Sequence, residues 1–318
     1  MPILDLGYRG HDGKPRNRIP RWMSIAANGI RLAWRGTWLR RTLILTSFPA
    51  VICALSIFAL EQVEPGSQKR FFRSMAILSG VQGPNRLSIP SDYKRDVYWP
   101  LLMANFFRYP QSIAMVLLVG LIAPRSISFD YRSKGALLYF SRPIGVTQYL
   151  LGKQATLWFY LACITTIPAL VVYVLGLAVS PNLSVFWDTW DLPIRILISS
   201  LCLIIPTSSV ALWMSSMTEE SRYAAFGWLA MWVLGWVTFF ALTLVASMQN
   251  AQSSGGSVLS VETIALFSPY HLLGRIQNYV FGVIEYDTGI SWAFTILMIV
   301  TVATQCMLYW NVRSRLVR

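Results

Sequence analysis

The sequence predicts an all-α integral membrane protein, a bundle of six transmembrane helices. Three observations predict it. First, 55% of the 318 residues are hydrophobic and only 13% are charged. A soluble domain carries about 25% charged residues, so most of this surface must face something other than water. Second, the apolar residues fall into six charge-free runs: Thr42–Leu60, Tyr109–Pro124, Gln154–Trp187, Ile196–Thr218, Tyr223–Val261 and Thr288–Val312. A bilayer core is about 30 Å thick and takes about 20 helical residues to cross. Five runs are long enough. Tyr109–Pro124 has 16 residues and recruits the flanking 125–129, with Arg125 reaching for the interface. Third, both chain ends are basic, and basic ends on one side require an even number of crossings.

The spans are therefore expected at about 42–60, 109–129, 154–180, 196–218, 223–250 and 288–312. The segments between them sort by charge. Residues 1–41, 125–153, 219–222 and 313–318 carry 18 Lys and Arg, whereas 61–108, 188–195 and 262–287 carry 9. Cytoplasmic segments collect Lys and Arg, which places both termini in the cytoplasm and the protein in the cell (inner, cytoplasmic) membrane. The net charge of +13 then sits on the cytoplasmic side, where anionic lipid attracts it. That asymmetry explains the basicity without a nucleic-acid partner.

Residues 1–18, with Gly7, Gly10 and Gly13, read as a flexible cytoplasmic tail. Residues 19–318 form a single transmembrane domain. Over 19–41, Trp22, Ile25, Ala26, Ile30, Ala33, Trp34 and Trp38 share a helical arc, with Arg21, Arg31 and Arg35 facing away. This pattern predicts a helix in the inner interface. The first outer loop, 61–108, is long and mixed in charge. The inner segment 125–153 includes 130–140, an amphipathic stretch with Asp130 near its start, where a carboxylate complements the helix dipole. Pro181-Asn182 ends the third span. Glu219-Glu220-Ser221-Arg222 is a short inner turn, and Ser253-Ser254-Gly255-Gly256 ends the fifth span. Residues 272–286 are too polar to span but suit one or two short helices dipping into the outer leaflet.

Catalytic chemistry is missing. Every expected span is free of Asp and Glu. Cys53, Cys163, Cys202 and Cys306 all lie in spans, with no C-x-x-C spacing, and read as packing residues. His11 and His271 lack ligand-spaced partners, so no metal site is expected. Gly145 and Gly152-Lys153 miss the phosphate-loop spacing and are followed by Gln154. The chain is therefore not expected to be an enzyme or to hold a cofactor. Trp228, Trp232 and Trp236 recur at i, i+4 and i+8 on the fifth span, either as a substrate path or as packing.

One segment carries a family resemblance. Ser141-Arg142-Pro143, then Tyr149-Leu150-Leu151-Gly152-Lys153 entering the third span, resembles the permease subunits of ABC-2 type transporters. Asp130 and Lys134-Gly135-Ala136-Leu137-Leu138 upstream, Ser221-Arg222, and Ser268-Pro269 are also similar to that family. The resemblance implies an exporter permease whose ATP is bound by a separate ABC subunit docked on the cytoplasmic face. It implies that 130–140 is the coupling helix, with Asp130, Lys134, Gly135, Leu137, Leu138, Arg142 and Pro143 serving the coupling. It also implies a second permease copy, in a homo- or heterodimer, around a path formed mainly by spans one, two and five. Two other classes remain open: a secondary carrier, which needs a polar or broken helix at midplane, and a non-transporting scaffold, which works without an ATPase.

Overall fold

The computed structural model describes residues 20–62, 95–135, 144–180, 184–252 and 261–317. The expected tail over 1–18, most of the expected loop 61–108, and the turns at 181–182 and 253–256 lie outside them. Among the described residues the chain is all helical. Six stretches are long and apolar enough to cross a membrane: Thr37–Ala59, Val97–Arg132, Val146–Val179, Leu192–Met217, Ser221–Met248 and Thr288–Arg315. This is the architecture of a multi-pass membrane protein.

Helix α1 (Arg21–Trp34) is amphipathic as expected, with Arg21, Arg31 and Arg35 exposed. Its Ile25–Ala26 face is buried, but against protein. A Cβ at Gly152 would lie 2.7 Å from Cβ of Ile25, and one at Gly29 would lie 2.5 Å from Oγ1 of Thr156. Tyr160 OH donates to the Ile30 carbonyl at 2.7 Å. The partners advance together, 25 with 152, 29 with 156 and 30 with 160. Helix α1 therefore tracks the first half of the third span, and glycine is required where the backbones meet. After Gly36 the chain continues as α2 (Thr37–Gln62), the first span.

The second span begins earlier than the charge pattern indicated. Helix α3 (Arg95–Phe106) runs through a π turn, Phe107–Gln111, into α4 (Ser112–Arg132). Burial holds the extra turns in place: Tyr98, Trp99, Met103 and Phe107 are at 0% exposure. Trp99 meets Tyr173 edge-on at 6.0 Å. Arg108, which the charge pattern placed in the outer loop, is instead a residue of this helix. It lies 5.6 Å from the Tyr109 ring centroid. Pro110 lacks the N–H that a regular helix needs at that point, and the π turn absorbs the mismatch.

The third span is two helices, α5 (Val146–Ile164) and α6 (Thr166–Val179), broken at Thr165. Pro168 cannot donate to the Ile164 carbonyl, which interrupts the ladder here; the Thr165 hydroxyl and backbone N–H both donate to the Leu161 carbonyl. A short α7 (Ser184–Asp188) leads to α8 (Leu192–Met217), the fourth span and the centre of the bundle. It packs against the second, third, fifth and sixth spans. Small residues allow this close approach, and their hydroxyls bind the neighbours. Ser208 accepts from Trp158 Nε1 at 2.9 Å, Ser209 from Gln305 Nε2 at 2.7 Å, and Ser216 from Asn311 Nδ2 at 3.2 Å.

Helix α9 (Ser221–Gln252) is the fifth span. After α10 (Val261–Ala265), helix α11 (Pro269–Val280), a short helix as expected there, packs between the fifth and sixth spans. A Cβ at Gly235 would lie 2.5 Å from Cδ of Pro269, so the start of α11 presses directly on the fifth span. An ion pair from Arg275 to Asp287 ties α11 to α12 (Thr288–Val317), the sixth span. The two largest apolar cores lie along the bundle, beside a smaller one of Leu272, Ile276 and Ala293. One gathers Leu118, Leu157, Leu203 and Trp228. The other gathers Ile57, Trp99, Phe107 and Phe281.

Candidate functional site

Asp130 and Lys153, both singled out by the sequence, come together at one end of the bundle, the basic end, where the second, third and sixth spans and the turn between the fourth and fifth meet. The last turn of α4 carries Asp130. Its Oδ2 lies 2.7 Å from Lys153 Nζ on α5 and accepts from Tyr149 OH at 2.7 Å. The two charged side chains are only 12% and 13% exposed. Lys153 Nζ also lies 5.5 Å from the Tyr149 ring centroid. A carboxylate at a helix C-terminus faces the negative end of the dipole. Lys153 and Tyr149 offset that repulsion and satisfy the buried charge.

This arrangement corrects one expectation. Residues 130–140 do not form one helix starting at Asp130. Helix α4 ends at Arg132, where Ser133 N donates to the Phe129 carbonyl and Lys134 N to the Tyr131 carbonyl. Lys134 then takes φ 55°, the left-handed conformation of a helix C-cap. Asp130 thus closes the second-span helix, and Gly135 follows the reversal. Leu137, Leu138, Arg142 and Pro143 lie outside the described residues.

Around this pair the spans are cross-linked. Ser215 Oγ of α8 accepts from the backbone N–H groups of Ile127 and Ser128, both at 3.2 Å. It donates to the Pro124 carbonyl at 3.1 Å. Ser215 thereby ties the fourth span to the backbone of α4 just past Pro124. Ser128 Oγ meets Ser221 Oγ at 3.0 Å. Arg132 pairs with Glu220 at 3.1 Å, and Arg315 with Glu219 at 3.3 Å. Arg132, Glu220 and Glu219 are well exposed, so these two pairs contribute little stability. Arg315 does more by position. Its Cζ lies 4.6 Å from the Tyr131 ring centroid, and Nη2 donates to the Met217 carbonyl at 3.1 Å. The segment from 133 to 145 therefore leaves and re-joins a block in which its two flanking helices are pinned together.

The tryptophan stripe divides. Trp228 is 1% exposed and donates to the Val116 carbonyl at 2.9 Å; Trp232 is 8% exposed, and Trp236 is 57% exposed. Each step of four residues turns about 40° around a helix, so the stripe rotates out of the core. Trp228 and Trp232 meet edge-on at 5.6 Å, and Trp236 stacks on Phe240. Trp228 is thus a packing residue against the second span. His271, on α11, stacks on Phe239 at 3.4 Å, and its Nδ1 lies 2.9 Å from Ser268 Oγ. Among the described residues no three His, Cys, Asp or Glu gather as a metal site would require.

Sequence reading missed Tyr149, Ser215 and Arg315. Asp130 and Lys153 bracket the same basic segment with opposite charges, which was the one available signal of their pairing. Nothing in the spacing of a lone serine marks it as a cross-link. Neither the protein-family models nor the curated proteins include a match to this chain.

Proposed function

We propose that the chain is the transmembrane permease of an ATP-driven transporter of the ABC-2 type, an exporter whose ATP is bound by a separate subunit on the cytoplasmic face. The observation that carries the reading is the Asp130–Lys153–Tyr149 junction. It pins the second and third spans at both roots of the basic segment between them. A partner that pushes on that segment moves both spans as one lever, because the root cannot flex independently. In this reading Asp130 is a positioning residue inside the lever. Contact with the ATPase falls to Lys134, Gly135, Leu137, Leu138, Arg142 and Pro143.

Further support comes from the exposed faces. The first span exposes Ile44, Phe48, Val51 and Leu55, and the fifth exposes Phe226, Val233, Trp236 and Phe240. In the proposed assembly a second permease copy covers part of these faces, and lipid covers the rest. The test is purification of the tagged protein from its native membrane in mild detergent. A stoichiometric subunit bearing a phosphate loop supports the proposal; its absence from an intact oligomer favours a scaffold.

A further inference from the structure

The first span begins in a patch of unneutralised charge. Between residues 20 and 60 the chain carries five arginines and no Asp or Glu. Four of them, Arg31, Arg35, Arg40 and Arg41, are exposed and make no ion pair among the described residues. The described acids at this end of the bundle are already taken: Asp130 by Lys153, Glu220 by Arg132 and Glu219 by Arg315. Arg31 and Trp34 lie in the last turn of α1, Arg35 and Gly36 make the elbow, and Trp38 and Arg41 lie in the first turns of α2. Trp34 is 52% exposed and Trp38 70%. The Arg41 guanidinium lies 5.7 Å from the Trp38 ring centroid, a contact that holds it against the helix and leaves its N–H groups for an anion.

Beyond this patch α2 presents a stripe of exposed apolar side chains. Trp38, Arg41, Leu45, Phe48 and Ile52 fall within about 80° of helical arc. Leu45 is 69% exposed, Phe48 63% and Ile52 50%. From Arg41 to Ile52 the helix rises about 16 Å, the depth of one leaflet in a core about 30 Å thick. Arg40 lies about 160° around the helix from Trp38, off the stripe.

We propose that this elbow seats one anionic phospholipid of the leaflet at the basic end, its phosphate on Arg35 and Arg41 and one chain along Leu45, Phe48 and Ile52. Guanidinium groups hold phosphate through paired N–H bonds, and Trp settles at the headgroup level. A zwitterionic lipid brings its own cation and leaves the excess charge of the arginines in place, whereas a net anionic one offsets it. Free phosphate would use the arginines but not the apolar stripe that continues from them. This inference rests on the six helices crossing a membrane and not on the proposed ATPase.

The test is photolabelling of the full chain in nanodiscs of mixed phosphatidylcholine and phosphatidylglycerol. The same diazirine-bearing acyl chain is carried first by one lipid and then by the other, and peptide mass spectrometry locates the label. The expected result is several-fold more label at 44–52 from the phosphatidylglycerol probe, with no such preference at 240–248, toward the far end of the fifth span. Arg35→Gln with Arg41→Gln removes the preference, and Arg40→Gln leaves it. Trp38→Ala lowers it, and serves if the double variant does not elute as a folded protein. Inorganic phosphate, added at constant ionic strength, leaves it unchanged. Equal labelling by the two probes, or a preference lost as fully in the Arg40→Gln variant, overturns the site. A preference abolished by inorganic phosphate overturns the lipid in favour of the free anion. A stripe that neither probe labels, in a chain that elutes as a dimer, overturns it in favour of a second copy.

Discussion

Lys153 Nζ, two turns into the third span, lies 2.7 Å from Oδ2 of Asp130, in the last turn of the second, and both side chains are nearly withdrawn from solvent. Removing one member strands the other. Asp130→Ala or Lys153→Ala is expected to cost about 3–5 kcal/mol, and the double variant less than the sum. Thermal or denaturant unfolding in one fixed detergent gives the cycle. Additive losses would show that the pair is not coupled.

Gly152 faces Ile25 with no room for a side chain. Gly152→Val is expected to lower stability by about 1–3 kcal/mol through overpacking and to lift α1 from the third span. Trypsin then cuts at Arg31 and Arg35 faster than in the parent protein. Unchanged cleavage with unchanged stability would contradict the packing described.

Lys134 adopts φ 55°, where a Cβ is strained. Lys134→Gly is expected to hold or raise stability by roughly 0.5–1 kcal/mol, and Lys134→Val to lower it. The pair of variants, compared by melting temperature, tests whether the second-span helix ends here.

His271 has its pKa lowered from 6.5 to about 4, first by burial and then by the positive charge of Arg108. The folded state therefore resists protonation that the unfolded chain accepts. Stability is intact above pH 6.5 and falls as the pH drops from there toward 4. His271→Gln removes the group, and its melting temperature should fall less across that window. Parallel curves for the two proteins would contradict the assignment.

The six spans were legible because a bilayer leaves a long, charge-free run few alternatives to helix. Their edges were less so. Arg95 and Arg108 marked 95–108 as loop by charge, yet Tyr98, Trp99 and Phe107 bury fully and carry the helix outward. The break at Thr165 followed from a proline visible in the sequence, which on its own does not distinguish a kink from a break. At the basic end, Asp130 and Gly135 stood out by type, but their separation by the reversal at Lys134 depends on a backbone angle. Lysine carries no such signal, unlike glycine. The serines of the fourth span look like neutral packing residues in sequence. Only the packed neighbours reveal that Ser208, Ser209, Ser215 and Ser216 bind the second, third and sixth spans.

In the proposed function, the basic segment rooted at Asp130 and Lys153 receives work from an ATP-binding partner. The most direct measurement is co-purification of the tagged protein from its native membrane, with ATPase activity assayed on the complex and on a Gly135→Pro variant. The expected result is a stoichiometric phosphate-loop subunit retained by the parent protein, with the variant either losing it or keeping its ATP hydrolysis uncoupled from transport. An intact oligomer with no ATPase bound, or a Gly135→Pro complex that binds, hydrolyses ATP and transports like the parent, would contradict it.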